Sequence, residues 1–258
     1  MNKLITRTIS GIGLVLLVLF FTLRGGLYLF WATAIITAVA AYEFHRASAR
    51  MGYVYPLSLQ LVLGFALNVF VLMDRQVWVQ AIPGVLIILS MIYITFGTKY
   101  RAEDMMMFLF SFLYINYLLS YMLRFESPVQ LQLVYCCAWG TDTFAYLGGA
   151  IAGRHKLIER LSPNKTIEGS ISGVLGSVLV VYLLSRLDLI EFNWGIVLIA
   201  VIGSIMSQIG DLSASYIKRR AGIKDYGNII MGHGGVLDRF DSILFAIPTV
   251  YILTHLLL

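Results

Sequence analysis

The sequence predicts an all-α polytopic integral membrane protein that crosses the bilayer about nine times. Hydrophobic residues fill 59% of its 258 positions, whereas charged residues fill only 13%. Soluble domains average about 25% charged residues, because a surface that faces water needs polar side chains. The mean hydropathy of +0.82 therefore excludes a soluble enzyme, a disordered chain and a nucleic-acid-binding domain.

Nine apolar stretches approach the roughly 20 residues that a membrane-spanning helix needs. None of them alternates apolar and polar residues as the strands of a membrane barrel do, so each is predicted as a helix. The first, second and seventh are short and must include flanking residues to span. The predicted spans are Ile9–Leu23, Leu27–Tyr42, Leu57–Met73, Val77–Phe96, Met105–Met122, Leu131–Ile151, Ser170–Ser185, Gly195–Ser213 and Phe240–Leu258.

The basic residues orient this predicted bundle. Fifteen of the 19 Lys and Arg residues fall at the N-terminus or in the even-numbered loops, and four fall in the odd-numbered loops. Because cytoplasmic loops collect Lys and Arg, the N-terminus is predicted in the cytoplasm and the C-terminus outside. The first apolar run ends at Arg24-Gly25-Gly26 without a small-residue cleavage site, which favours a retained helix. The predicted location is the cell (inner) membrane.

The polar sequence is concentrated in the second half of the chain. Residues 1–130 are predicted as a scaffold of helices 1–5, and residues 131–258 as helices 6–9 with the functional motifs, all in one membrane domain. The outward loops are short, while the loops at 152–169 and 214–239 are long, basic and cytoplasmic. Long polar loops on one side of a bundle are where function is expected.

Two acidic residues fall within predicted spans, where an ionisable side chain is costly and usually functional. Asp142, in the sixth span, has the alternative role of bonding neighbouring helices. Asp211 lies in the eighth span on a polar stripe with a spacing of three or four residues, which indicates one helix face. The stripe consists of Ser204, Ser207, Asp211, Ser215 and Lys218. A packing seam is the alternative, but the acid and the basic end of the stripe favour the wall of a polar cleft.

The eighth loop combines acids, glycines and bases. Asp238 and Asp241 are three residues apart at a helix start and, with Asp211, predict an all-oxygen site that suits Mg²⁺. Glycines let the backbone approach a phosphate closely, and basic side chains neutralise it. The glycines are Gly232, Gly234 and Gly235, and the bases are Lys218, Arg219, Lys224 and Arg239.

The sixth loop contains Ser162-Pro163-Asn164-Lys165-Thr166-Ile167-Glu168-Gly169. Serine followed by proline predicts a helix start at this point, and a helix start can bind an anion. An ordinary capped helix is the alternative. His155 and His233 are predicted as polar loop residues, because neither has a second His or Cys at the spacing of metal ligands.

These motifs resemble one family. The runs Ser215-Tyr-Ile-Lys218-Arg219, Lys224-Asp225 and His233-Gly-Gly-Val-Leu-Asp238-Arg239-Phe-Asp241 are similar to the signature of the phosphatidate cytidylyltransferases, also called CDP-diacylglycerol synthases. Gly210-Asp211 and the block at 162–169 are also similar to the family's pattern. One departure is Met231, which stands where the family usually has proline.

The resemblance implies that CTP and phosphatidic acid react to give CDP-diacylglycerol and pyrophosphate with Mg²⁺. It implies a membrane-lipid environment and a homodimer, and the carboxylates leave room for a second cation. The motif loops fall on the predicted cytoplasmic side, which is where the active site is expected, and the composition excludes a nucleic-acid partner. Lys165, Lys218, Arg219, Lys224 and Arg239 are expected to hold phosphates. The implied catalytic residues are Asp211, Asp238, Lys218, Lys224 and Arg239; the implied metal ligands are Asp211, Asp238, Asp241 and Asp142; and the implied substrate-binding residues are Ser162, Lys165, Thr166, Ser215, Arg219, His233, Gly234 and Gly235.

Two other functions fit parts of the sequence. A CTP-dependent polyprenol or phytol kinase would move the γ-phosphate and release CDP. A secondary transporter would place polar residues near the bilayer midplane on repeated, broken helices. Here the polar residues cluster at one predicted cytoplasmic mouth and the sequence has no internal repeat, so the cytidylyltransferase is the favoured interpretation.

Overall fold

The computed structural model describes residues 3–229 and 234–258, and it describes side chains from residue 11 onwards. Helices make up most of this part of the chain. They are α1 (Lys3–Arg24), α2 (Gly26–Arg50), α3 (Leu57–Leu72), α4 (Gln76–Phe96), α5 (Ala102–Ser111), α6 (Leu118–Ser120), α7 (Pro128–Tyr135), α8 (Thr141–Ala152), α9 (Ile167–Arg186), α10 (Trp194–Arg220) and α11 (Leu237–Leu257). Two π-helical segments, Phe112–Tyr117 and Cys136–Gly140, and a 3₁₀ turn, Tyr121–Leu123, continue the helices that flank them.

Each predicted span coincides with a helix or with a run of consecutive helices, and flanking residues extend the short ones as expected. In the described part of the chain, six segments are long and apolar enough to cross a membrane. They are Gly26–Arg50, Gln76–Phe96, Ala102–Leu123, Ile167–Arg186, Trp194–Arg220 and Leu237–Leu257. The protein is therefore a multi-pass membrane protein of mainly helical structure, and the count of nine crossings stays a prediction.

The sixth loop differs from its prediction. It contains an antiparallel hairpin of two strands, β1 (Lys156–Ile158) and β2 (Ser162–Thr166), so the all-α class holds for the spans and not for this loop. The helix start predicted at Ser162-Pro163 is wrong, because α9 begins only at Ile167. Thr166 caps that helix by accepting a hydrogen bond from the Gly169 N–H at 3.1 Å. Proline is tolerated in β2 because both strands of a two-stranded sheet are edges.

The chain forms two compact units. The first comprises residues 1–124 and 220–239. A buried polar network lies within it: the Tyr55 hydroxyl donates to Ser111 Oγ at 3.0 Å, and Gln60 Nε2 donates to Ser111 Oγ at 2.8 Å and to Asn116 Oδ1 at 2.9 Å. Burial raises the pKa of Tyr55 to about 12. Buried polar groups that bond one another in this way fix the packing of a core.

The second unit comprises residues 125–219 and 240–258. Helices α8 and α9 pack closely in it because glycines face the partner helix. A Cβ on Gly173 would lie 3.0 Å from the Thr141 carbonyl oxygen, and one on Gly176 would overlap Phe144. A hydrogen bond of 2.6 Å between the hydroxyls of Thr141 and Ser204 joins α8 to α10. Small residues and interhelical hydrogen bonds are the usual means of packing helices in a membrane.

Candidate functional site

In the first unit, a buried carboxylate of α2 holds the start of α11. Glu43 is only 1% exposed. Its Oε1 accepts a hydrogen bond from the Val236 N–H at 3.1 Å, and its Oε2 accepts one from the Leu237 N–H at 2.8 Å. The first N–H groups of a helix have no partner within the helix, and a carboxylate at this end is also favoured by the helix dipole. Glu43 therefore fixes where the last helix begins.

The predicted metal ligand Asp238 orders the same loop. Its Oδ2 accepts hydrogen bonds from the Tyr226 N–H at 2.8 Å and from the Gly235 N–H at 2.9 Å. The side chain is buried, with 7% of the residue exposed. One carboxylate therefore binds the backbone both at Tyr226 and at Gly235.

Glycines within and beside the signature allow these contacts. A Cβ on Gly227 or on Gly235 would overlap the Glu43 carboxylate, so any side chain at either position would displace it. Gly234 adopts a φ of +85°, which glycine reaches without steric cost. Gly232, Met231 and His233 lie outside the described residues. The described glycines thus bring the backbone close to Glu43.

Sequence reasoning missed Glu43. The predicted second span ended at Tyr42, one residue before it, whereas α2 continues to Arg50. A longer span would have placed an acid inside an apolar helix, which is the same signal that singled out Asp211.

The second unit contains a cavity of about 490 Å³ between α8, α9, α10 and the hairpin. The predicted residues Asp142, Ser162, Lys165 and Thr166 line it, and Gln208 does too. Burial lowers the pKa of the Lys165 amine, and the carboxylates of Asp142 and Asp241 oppose that shift. The structure thus brings four predicted site residues to one cavity.

Two lysine–aspartate pairs connect elements of this unit. Lys165 of β2 donates directly to Asp211 Oδ2 of α10. Lys218 Nζ lies 3.3 Å from Asp241 Oδ2 of α11, and both residues are buried, at 9% and 7% exposed. Buried ion pairs contribute little net stability, because desolvation offsets their attraction. Both pairs join residues that the sequence predicted as site residues, and their functional role stays a prediction.

The polar stripe of α10 is a contact face. Besides its bonds through Ser204 and Asp211, the helix contacts α9 through Gln208, whose Oε1 accepts from Ser170 Oγ at 2.5 Å. Gln208 and Ser170 were not among the predicted site residues, although Gln208 follows Ser204 by one helical turn. Ser215 is half-buried on the same helix. Arg219 at its end is exposed, and Arg239 in α11 is half-buried.

The oxygen donors suit Mg²⁺ chemically, but the described residues contain no group of three His, Cys, Asp or Glu side chains that could hold a metal ion. Asp211 and Asp241 each contact a lysine ammonium instead. The predicted polar residue His155 pairs with Glu168, with 2.6 Å between Nδ1 and Oε1. The metal assignment therefore stays a prediction.

Comparison with known proteins identifies the family. A family model described as "Cytidylyltransferase family" matches residues 5–257. A phosphatidate cytidylyltransferase of Staphylococcus epidermidis is 35% identical over 257 residues, covering 96% of this chain and 97% of that protein. Proteins of the same name from Staphylococcus saprophyticus and Staphylococcus aureus are 33% and 34% identical, with the same coverage. The resemblance seen in the signature is confirmed, and the chain belongs to the cytidylyltransferase family.

Proposed function

We propose that this protein transfers the cytidylyl group of CTP to phosphatidic acid, giving CDP-diacylglycerol and pyrophosphate in phospholipid biosynthesis. The relatives at 33–35% identity are named for this activity, and the similarity extends over nearly their whole length. The structural observation that supports it best is the pairing of Lys165 with Asp211 and of Lys218 with Asp241. Ammonium groups beside carboxylates suit a site that binds polyanions together with a cation.

The lipid phosphate attacks the α-phosphorus of CTP in line with the leaving pyrophosphate. A phosphate monoester has a second pKa of about 6, so the nucleophile is already ionised near pH 7 and needs no general base. Catalysis then depends on positioning and on charge neutralisation. Lys165 and Lys218 hold phosphate oxygens of the reactants, and Lys224, Arg219 and Arg239 neutralise the leaving group.

Magnesium is the proposed cofactor. The signature carboxylates Asp211, Asp238 and Asp241 would hold it, with Asp142 as a further ligand, because hard oxygen donors are what this ion prefers. When bound, it supplies positive charge to the phosphates. A second cation is part of the proposal.

The proposed setting is the cell (inner) membrane, with the signature loops on the cytoplasmic side, where CTP is available. The excess of Lys and Arg in the even-numbered loops supports this orientation. A homodimer, expected from the family resemblance, is proposed with it.

A pyrophosphate-release assay on detergent-purified protein tests the reaction. Pyrophosphate and a CMP-bearing lipid should form only when CTP, phosphatidic acid and Mg²⁺ are all present. Release of CDP with a lipid alcohol would assign a kinase instead. If neither product forms from folded protein, the cytidylyltransferase proposal is wrong and transport assays follow.

The role of Asp238 is tested by Asp238→Asn, which should lower turnover by about 100-fold, the scale of losing one charged group at a reacting phosphate. Asp188→Asn is a matched control, because Asp188 is exposed and its φ of +55° is one that asparagine also adopts. Thermal unfolding with and without Mg²⁺ supplies a second readout: magnesium should raise the Tm of the wild type and of the control, and not that of Asp238→Asn.

A further inference from the structure

A basic cleft lies in the first unit. Its volume is about 350 Å³. The end of α2 forms one wall through Arg46 and Arg50, and residues 222–228 form the other wall, which includes Lys224. Lys224 and Asp225 belong to the family signature, whereas the two arginines bring a part of the N-terminal half to this cleft.

The cleft has an excess of positive charge. Arg46, Arg50 and Lys224 line it, and the one carboxylate in its lining is that of Asp225. Among the residues that the structure describes, no carboxylate lies within 4.0 Å of the charged nitrogens of these three side chains. The positive-inside tendency explains on which side of the membrane basic residues lie, but it does not explain why three of them line one cleft.

The walls of the cleft are fastened to each other. Arg46 and Arg50 are four residues apart and share a helix face, and Glu43 lies one turn before Arg46. Glu43 bonds the backbone at Val236 and Leu237, and the ring of Phe44 lies 6.4 Å from that of Tyr226. These contacts hold Tyr226, Val236 and Leu237 against α2, so the cleft is a formed site.

We propose that this cleft binds the phosphate groups of an anionic substrate or product, with Arg46 and Arg50 as binding residues. A guanidinium group presents a planar set of donors that matches phosphate oxygens in pairs, and three cations lining one cleft favour a ligand with more than one negative charge. The phosphates belong to CTP and its pyrophosphate product or to phosphatidic acid. That choice rests on the proposed function, whereas the existence of the anion site does not.

Binding of inorganic pyrophosphate to the purified full-length protein without Mg²⁺ tests the site. The variants are Arg46→Gln, Arg50→Gln and both together, and the matched control is the double variant Arg160→Gln/Arg220→Gln. The control residues are exposed, basic and outside the cleft lining. We expect the Kd for pyrophosphate to rise about fivefold in each single variant and at least 10-fold in the double variant. A double variant within twofold of the control overturns the proposal.

Two control measurements show whether a loss of affinity reflects binding and not misfolding. All variants should elute as one species and unfold at the wild-type temperature, because the substituted side chains are exposed. Lysine at both positions keeps the charge and should restore part of the affinity, which a purely structural role of the arginines would not predict.

Steady-state kinetics then identify the source of the phosphates. If the double arginine variant has a higher KM for CTP and an unchanged KM for phosphatidic acid, the cleft binds the nucleotide. The reverse result assigns the cleft to the lipid headgroup. If the wild-type protein makes no pyrophosphate at all, the proposed function fails, and the pyrophosphate-binding comparison still decides whether the cleft is an anion site.

Discussion

At the scale of single residues, Glu43 is the side chain on which the start of the last helix depends. We expect Glu43→Gln to lower turnover at least 10-fold and to destabilise the protein by about 1–3 kcal/mol. The reason is that the glutamine amide nitrogen would face one of the two N–H groups from which Glu43 now accepts hydrogen bonds. Turnover and Tm are the measurements. Glu103→Gln, an exposed glutamate of the same unit, is the control. Equal behaviour of the two variants would contradict this role.

Gly235 tests the same contact from the opposite side. Its Cβ position overlaps the Glu43 carboxylate, so we expect Gly235→Ala to displace that carboxylate and to lower both stability and turnover. Gly84→Ala is the control, because nothing lies within 4 Å of a Cβ on Gly84 in α4 and alanine favours a helix over glycine by about 1 kcal/mol. Thermal unfolding in detergent should separate the two, and a normal Tm for Gly235→Ala would refute the close approach.

Tyr55 makes stability depend on alkaline pH. Its pKa is about 12 in the folded protein and about 10 in an unfolded chain. The unfolded state therefore loses its proton first, and the stabilisation is fully present below pH 10 and is lost as the pH rises towards 12. We expect a loss on the order of 2 kcal/mol at this site. The free energy of unfolding, measured from pH 9 to 11.5, should fall less steeply with pH in Tyr55→Phe than in the wild type. Parallel curves for the two proteins would contradict the role of Tyr55.

The sequence predicted part of the site. Asp211 and Lys218 were predicted from the polar stripe, Asp241 from its spacing to Asp238 and Lys165 from the family resemblance, and the structure pairs these residues. The specific partners were not predictable. Lys165 and Asp211 are 46 residues apart, and no local pattern encodes which lysine contacts which carboxylate.

At the scale of elements, the hydropathy pattern predicted the helices closely but not the hairpin in the sixth loop. Membrane spans can be recognised in a sequence because a run of about 20 apolar residues within a bilayer can satisfy its backbone hydrogen bonds only as a helix. Strands β1 and β2 are only three and five residues long, and β2, Ser-Pro-Asn-Lys-Thr, does not alternate polar and apolar residues as a strand is expected to do. Ser162-Pro163 was therefore misinterpreted as a helix start.

Thr166 links that hairpin to α9 by capping the helix. We expect Thr166→Val, which has nearly the same shape without the hydroxyl, to lower stability by about 1 kcal/mol, and Thr166→Ser to retain the cap. Thermal unfolding is the measurement. If Thr166 also binds substrate, as the family resemblance implies, Thr166→Val will raise the KM for CTP or phosphatidic acid by more than its loss of stability explains. Equal Tm values for Val and Ser variants would exclude the capping role.

At the scale of the whole molecule, the distribution of charge predicts the orientation in the membrane. We expect an alkaline phosphatase fused after Leu258 to be active outside the membrane, and the same enzyme fused after Arg50 or Arg101 to be inactive, because these loops are predicted to be cytoplasmic. Expression of each fusion, measured with an antibody, is the control. Activity after Arg50 and none after Leu258 would reverse the proposed topology.

The sequence by itself determined the membrane class, the positions of the helices and the family, because hydropathy and a signature of nearby residues are local properties of the chain. Only the tertiary structure decided that Glu43 holds the start of the last helix, that Lys165 and Lys218 select Asp211 and Asp241, and that two arginines of α2 share a cleft with Lys224. The physical reason is distance along the chain. Glu43 and Leu237 are 194 residues apart, and a hydrogen bond between them exists only once the helices have packed.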